Sequence, residues 1–303
     1  MRPAEPVRAH VPPWEITVPS TPGRLAGVTM AGFSDPANTL VDVALVPHPA
    51  VTVLFDLGDT PIVVDDGNGR QQRERVVAGL APPTGTRGRG SGGSFECLQV
   101  RLSPVVANAA LGASSDLGGT VGALDDLWGR DAVRTQEQLR AAASWDDRFE
   151  IAEAALARRL DPGRTVDREV SFAWERMVAT RGRVRVERLA AEVGWSRRRL
   201  WSRFVSQIGL TPKRAAQLVR FDQAAHRLAA GDSAATVAAE GGYADQSHLH
   251  REVLAFAGAT PTTVALAPFL AVDDVAWPAR DYRSRTSRSE SSWSTRIAPN
   301  HAS

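Results

Sequence analysis

The stretch VERLAAEVGWSRRRLWSRFVSQIG, residues 186–209, decides how this chain is read. Leu189 and Val193 supply the inner face of one helix, and Ala190 is the small residue where a second helix crosses closely. Gly194 ends the first helix, because a left-handed terminal residue costs little only for glycine. Ser196 is placed to cap the next helix, whose buried stripe is Leu200 and Phe204, spaced by four. This pattern predicts a helix-turn-helix.

The pattern occurs twice. In AATVAAEGGYADQSHLHREVLAFAG, residues 234–258, Val237, Ala238, Gly242 and Tyr243 repeat the roles of Leu189, Ala190, Gly194 and Trp195. Asp245 is the cap, and Leu249 and Val253 form the stripe. One such match can be imitated by any two packed helices, but two in one basic stretch point to DNA. Between them the periodicity predicts a single long helix over about 212–230. At 1.5 Å per residue its length is roughly 28 Å. One turn of B-DNA is ~34 Å, so such a strut can hold two recognition helices over successive major grooves.

Charge follows the same division. Residues 1–160 carry 15 basic and 19 acidic residues, net −4, whereas residues 161–270 carry 16 and 11, net +5. A mildly acidic half followed by a basic one is expected when only the second meets a polyanion. The single cysteine, Cys97, excludes an internal disulfide and any multi-cysteine metal site. No apolar run reaches the ~18 residues that span a bilayer, and the N-terminus carries no export signal, so a cytoplasmic protein without membrane contact is expected.

Ahead of the paired motifs, residues 1–25 read as a proline-rich extended arm with one strand around 14–18. VTVLFDLG from Val51, PIVVDD from Pro61, ERVVAGL from Glu74 and FECLQVRL over 95–102 read as strands separated by Gly/Pro turns. The loop 82–93 is too rich in Gly and Pro for a helix, and a pocket is expected at this loop and at strands 51–65 and 95–102. Residues 105–160 carry apolar side chains at helical spacing. The reading is therefore α+β with two domains. A small β-barrel or sandwich-like N-terminal domain with helices occupies 1–162, its strands within about 14–103 and its helices within about 105–160. An all-α domain with two helix-turn-helix motifs joined by a long helix occupies 163–268, and a Ser/Arg-rich tail, 269–303, is expected to be disordered.

Residues 165–265 resemble the DNA-binding domain of the AraC/XylS family of bacterial transcription regulators. The residues that carry the resemblance are Leu189-Ala190, Gly194, Ser196, Leu200, Phe204, Gly209-Leu210-Thr211-Pro212 and Arg220-Phe221 with Ala224 in the first unit and strut. In the second unit they are Val237-Ala238, Gly242-Tyr243, Asp245-Gln246-Ser247-His248, Arg251, Gly258 and Thr260-Pro261. The resemblance implies a sequence-specific regulator of transcription acting on double-stranded DNA. It implies an N-terminal half that senses a ligand or pairs, leaving a small-molecule effector of unknown identity, RNA polymerase and a second copy of the chain as further partners. No cofactor is implied.

The candidate DNA contacts follow from position. With Leu200 and Phe204 inward, Arg197, Arg198, Trp201 and Ser202 fall on or near the outer face, and Arg203 toward a phosphate. Trp201 reads equally well as a partly buried core residue. In the second helix the candidates are Gln246, Ser247, His248 and Arg251. Thr211 caps the strut and turns helix-terminal N–H groups toward a phosphate, and Lys213, Arg214 and Arg220 add phosphate charge. His248 and His250 point ~200° apart on a helix and cannot chelate one ion. His48 with Asp65 and Asp66 reads more simply as a turn than as a metal cluster.

Cys97 offers a different class of function: a DNA-modifying or thiol enzyme anchored by the same motifs. No cationic neighbour in the sequence favours a thiolate there, and no phosphate loop, nucleophile elbow or zinc-protease motif occurs. The sequence therefore points away from catalysis.

Overall fold

The computed structural model describes residues 14–21, 23–35, 42–90, 95–112 and 116–277. The N-terminal half supplies the strands β1 (Glu15–Thr17), β2 (Val28–Asp35), β3 (Val43–Ala44), β4 (Val51–Asp56) and β5 (Val63–Asp65). β6 (Gln71–Arg73), β7 (Arg75–Ala78), β8 (Arg87–Arg89), β9 (Phe95–Leu102) and β10 (Val121–Ala123) follow. They form two antiparallel sheets, one in the order β1-β2-β9-β4-β7-β10 and one in the order β3-β8-β5-β6.

The central strand β9 explains its own lack of alternation. It is paired along its length with β2, from Val28↔Leu102 to Asp35↔Phe95, and with β4 on its other edge. Both faces are covered: Leu98, Val100 and Leu102 enter one core, and Phe95 and Cys97 enter another. A strand buried on both sides needs no polar positions, so the period-two signal fades. β2 went unread in the sequence for the same reason, with Met30 on one side and Ala31 and Phe33 on the other.

Helices α1 (Pro104–Leu111), α2 (Asp125–Trp128), α3 (Arg130–Ala141) and α4 (Trp145–Arg159) cover the first face of the larger sheet. The expected helical stretch 105–160 thus holds four helices and also β10, and β8 lies inside the expected loop 82–93. After α4 the chain makes a short 3-10 turn, Pro162–Arg164, capped by Asp161, which accepts a hydrogen bond from the Gly163 N–H. The C-terminal helices are α5 (Arg168–Ala179), α6 (Val186–Glu192), α7 (Arg197–Ile208), α8 (Pro212–Ala229), α9 (Ala234–Glu240), α10 (Gln246–Ala257), α11 (Pro261–Ala265) and α12 (Pro268–Ala276). Among the described residues, none of these helices is long and apolar enough to cross a membrane.

The first core runs without a break from the sandwich to the C-terminal helices, from Val53 and Leu102 through Trp174 to Phe204, Phe221 and Val253. Gly118 shows how close the two halves come. A Cβ there would stand 2.1 Å from the Gly209 carbonyl oxygen at the end of α7, so only hydrogen fits.

The expected disordered tail needs correction at its start. Residues 268–276 form α12, because Leu270, Val272 and Ala276 have an apolar surface to cover, and they bury on it. Val272 and Ala276 join Phe33, Val64 and Phe95 in the second core, with Phe269 and Trp277 packed against it. The rest of the expected tail, 278–303, lies outside the described residues, as do 1–13 of the expected arm and 91–93 of the expected loop.

Candidate nucleic-acid interface

Both motifs are built as their residues dictate. Gly194 and Gly242 adopt φ of +68° and +80°, turning the chain between α6 and α7 and between α9 and α10. The Ser196 hydroxyl accepts a hydrogen bond from the Arg199 N–H at 3.2 Å, and Asp245 Oδ1 accepts one from the His248 N–H at 2.6 Å. Leu200, Phe204, Leu249 and Val253 are each fully buried. A further correspondence was not visible beforehand. The aromatic residue after each turn glycine supports the third residue of the following helix: Arg199 lies over Trp195 at 4.4 Å, and His248 meets Tyr243 at 5.3 Å.

The strut is α8. Thr211 caps it by accepting from the Arg214 N–H at 3.1 Å, and Pro212 takes the first helical position, where no N–H is needed. Its eighteen residues span roughly 27 Å. Leu218, Phe221, Ala224 and Ala225 are buried along it, and Phe221 stacks on Phe256 of α10 at 5.0 Å. Gln217 is half-buried and Gln223 is exposed.

The candidate readers divide by what their side chains already hold. On α7, Arg198, Trp201 and Ser202 are exposed, and Trp201 at 53% exposure is no core residue. Arg197 is exposed and 3.3 Å from Glu187. Arg203 makes a two-pronged ion pair with Asp167 at 2.7 and 2.9 Å, which holds the Asp167 carboxyl below its ordinary range. On α10, Gln246, Ser247 and Arg251 are exposed. His248 is turned inward: its Nδ1 accepts from the Ala244 N–H at 3.2 Å while its ring meets Tyr243.

Arg220 corrects its expected role. Its guanidinium is paired with Glu252 on α10, which is 95% buried, and it lies 4.8 Å from the Tyr243 ring. Burial opposes its charge, but the Glu252 carboxylate outweighs burial and raises the arginine above its ordinary value. Such a group ties the strut to the second recognition helix and is not open to a phosphate. Arg214 is similarly engaged, 3.6 Å from the Phe256 ring and donating to the Ala255 carbonyl, and burial lowers it. Lys213 is exposed and has no ion pair among the described residues.

A family profile described as "Helix-turn-helix domain" matches residues 189–266. Residues 189–266 form a helix-turn-helix domain. No curated protein matches the chain. Among solved structures, ToxT from Vibrio cholerae O395 is 10% identical, with a TM-score of 0.46 over 80% of this chain and 98% of that one. The C-terminal domain of AraT, a response regulator from Geobacillus stearothermophilus, is 16% identical, with a TM-score of 0.32 over 33% of this chain and 85% of that one. The AraC-like transcriptional activator CuxR is 17% identical, with a TM-score of 0.24 over 65% of this chain and 82% of that one.

In the N-terminal half, the alternative chemistry loses its basis. Cys97 is fully enclosed, and burial pushes its thiol far up, away from the thiolate that a nucleophile needs. Asp65 and Asp66 accept hydrogen bonds from the Gly67, Asn68 and Arg70 N–H groups, the turn expected of them, while His48 lies with other partners. Of the region expected to hold a pocket, loop 82–93 with strands 51–65 and 95–102, Ile62, Val64 and Phe95 are buried in the second core with Phe33 and α12 side chains. A shallow cavity of about 330 Å³ lies between α3 and α4 beside Trp128, and another of about 320 Å³ lies beside Leu111 and Leu127; Arg158 and Arg159 line both.

Proposed function

We propose that this chain is a transcription regulator whose two helix-turn-helix units read successive major grooves of one duplex, from one face. The observation that carries the reading is the pair of capped units joined by a single eighteen-residue helix. A strut of roughly 27 Å that follows α7 at Thr211 and leads into the second unit at α9 suits the ~34 Å repeat of B-DNA. One chain then does what many repressors need a dimer to do.

Within this reading Arg198 and Arg251 are the principal base readers, because each is exposed and presents a two-pronged donor suited to guanine. Gln246 and Ser247 read beside Arg251, and Arg197, Trp201 and Ser202 beside Arg198. Lys213 and the N-terminus of α8 behind Thr211 meet phosphate, and Arg203 does so only by sharing its charge with Asp167. The N-terminal half is the regulatory half, receiving a small-molecule effector or pairing with a second copy. The continuous core and the close approach at Gly118 support it as the part that can act on the DNA-binding helices. RNA polymerase is the further partner that a regulator of this kind acts on.

The test is selection of binding sites from random duplexes with the purified chain. The reading expects a bipartite site whose two parts are about 10 base pairs apart. A selected site with one compact element, or no enrichment at all, contradicts it.

A further inference from the structure

Where the strut passes the sandwich, a buried polar cluster draws together four separate parts of the chain. Asp273 of α12 accepts from Arg101 at the end of β9, with Nη2–Oδ1 at 2.9 Å and Nη1–Oδ2 at 3.3 Å. The same carboxylate lies 2.8 Å from Nε2 of His226 on α8. His48, between β3 and β4, stands with Nδ1 3.2 Å from Asp222 Oδ1 and Nε2 2.7 Å from Arg101 Nη2. The Trp277 ring covers the Arg101 guanidinium at 4.1 Å. Asp273 is 5% exposed, so this is no solvated surface pair.

Hydrogen-bond chemistry fixes where the protons sit. A guanidinium only donates, so His48 Nε2 must accept, and its one ring proton is on Nδ1, facing Asp222. His226 is the opposite case. Its Nδ1 faces the Asp222 carbonyl oxygen at 2.7 Å and its Nε2 faces a carboxylate. Both partners only accept, so both nitrogens carry protons and the ring is an imidazolium. Arg101 and His226 then balance Asp222 and Asp273 charge for charge. A charge left uncompensated in such a site is costly, so the balance and the closed arrangement depend on each other.

We propose that α12 is a latch tying the strut to the sandwich, shut only while His226 is doubly protonated. The occupant of the space beside the larger sheet is α12 itself: Phe269 lies 4.7 Å from Trp14 and 6.1 Å from Phe33, and Val272 and Ala276 are buried. Its polar face presents Asp273 to β9 and α8 together. Opening therefore uncovers an apolar surface on the sandwich and releases the strut in one event, which links the regulatory half to the spacing of the two readers.

The charged and titratable groups facing His226 are Asp222 of its own helix, Asp273 of α12, and Arg101 and the neutral His48 ring from the sandwich. Burial works against its charge, but Asp273 and Asp222 outweigh it and raise its pKa from 6.5 to about 9. Burial likewise works against the Asp273 carboxylate, but Arg101 and His226 hold it well below the ordinary range. In the open state His226 returns to its ordinary value, so between pH 6.5 and about 9 the closed latch binds the extra proton. The stabilisation is complete below 6.5 and is lost as pH rises toward about 9. Over that window the opening constant climbs by up to about tenfold per pH unit, and it levels off above it.

Hydrogen–deuterium exchange on the full chain, corrected for the intrinsic rate at each pH, reads this directly. Exchange in peptides covering 268–277 should rise steeply across the window while α7 and α10 stay protected. Asp273→Asn and His226→Gln should each speed α12 exchange more than about tenfold at pH 6.5 and abolish its slope. His48→Gln can accept from Arg101 and donate to Asp222, so it should keep both protection and slope. A flat wild-type profile, wild-type protection in Asp273→Asn, or loss of protection in His48→Gln would each overturn the proposal. So would an Asp273→Asn chain in which α7 and α10 exchange as fast as α12, since the latch would then be no separate unit. None of these outcomes depends on DNA binding.

Discussion

Two arginines on adjacent helices show how little residue type says without its partners. Arg251 is exposed on α10, and Arg220 on the facing side of α8 is bound to buried Glu252. Arg251→Ala should weaken binding to the selected site by about 1–3 kcal/mol and relax preference at one base pair, with the melting temperature unchanged. Arg220→Ala strands a buried carboxylate and should cost about 3–5 kcal/mol of stability. Thermal melting and a binding titration on both variants check the pair of claims; a stable Arg220→Ala chain with an altered salt slope would return Arg220 to the phosphate contacts. From the sequence the two were indistinguishable, because an i to i+32 ion pair between helices has no local signature. The caps and stripes were legible for the opposite reason: Ser196, Asp245, Leu200 and Phe204 act on residues within one or two turns of themselves.

At the scale of the element, α8 matters through its stiffness. Gln223 is exposed near the middle of its second half, so Gln223→Ala should leave DNA binding unchanged and add a few tenths of a kcal/mol to stability. Gln223→Pro removes one helical hydrogen bond and clashes with the preceding turn, at a cost of ~3 kcal/mol or more. A Gln223→Pro chain that remains folded by circular dichroism should bind each half of its site separately but lose the joint affinity. Retained full affinity would mean that spacing is set elsewhere. The helices were read well from sequence because their period survives one-sided burial. The strands were read less evenly: β9 is legible over its full length, whereas β2 is covered on both faces, and β8 and β10 have three residues each, too few to show any period. α12 escaped notice because its reason to fold is the sandwich, more than 150 residues away in the chain, with Val272 against Phe33 and Phe95.

Across the whole molecule, the paired motifs and the charge division made the DNA-binding half legible, and nothing local announced how the other half meets it. The junction is assembled from His48, Arg101, Asp222, His226 and Asp273, one or two residues from each of four segments. His48 drew attention beside the wrong carboxylates, since nearness in sequence was the only clue to its partners. The central claim remains that one chain reads two successive grooves. Hydroxyl-radical footprinting of the wild-type chain on its selected duplex tests it most directly, with Arg198→Ala and Arg251→Ala alongside. The expected result is two protected patches on one face, about 10 base pairs apart, one fading in Arg198→Ala and the other in Arg251→Ala. A single patch for the wild type, or the same patch fading in both variants, would contradict it.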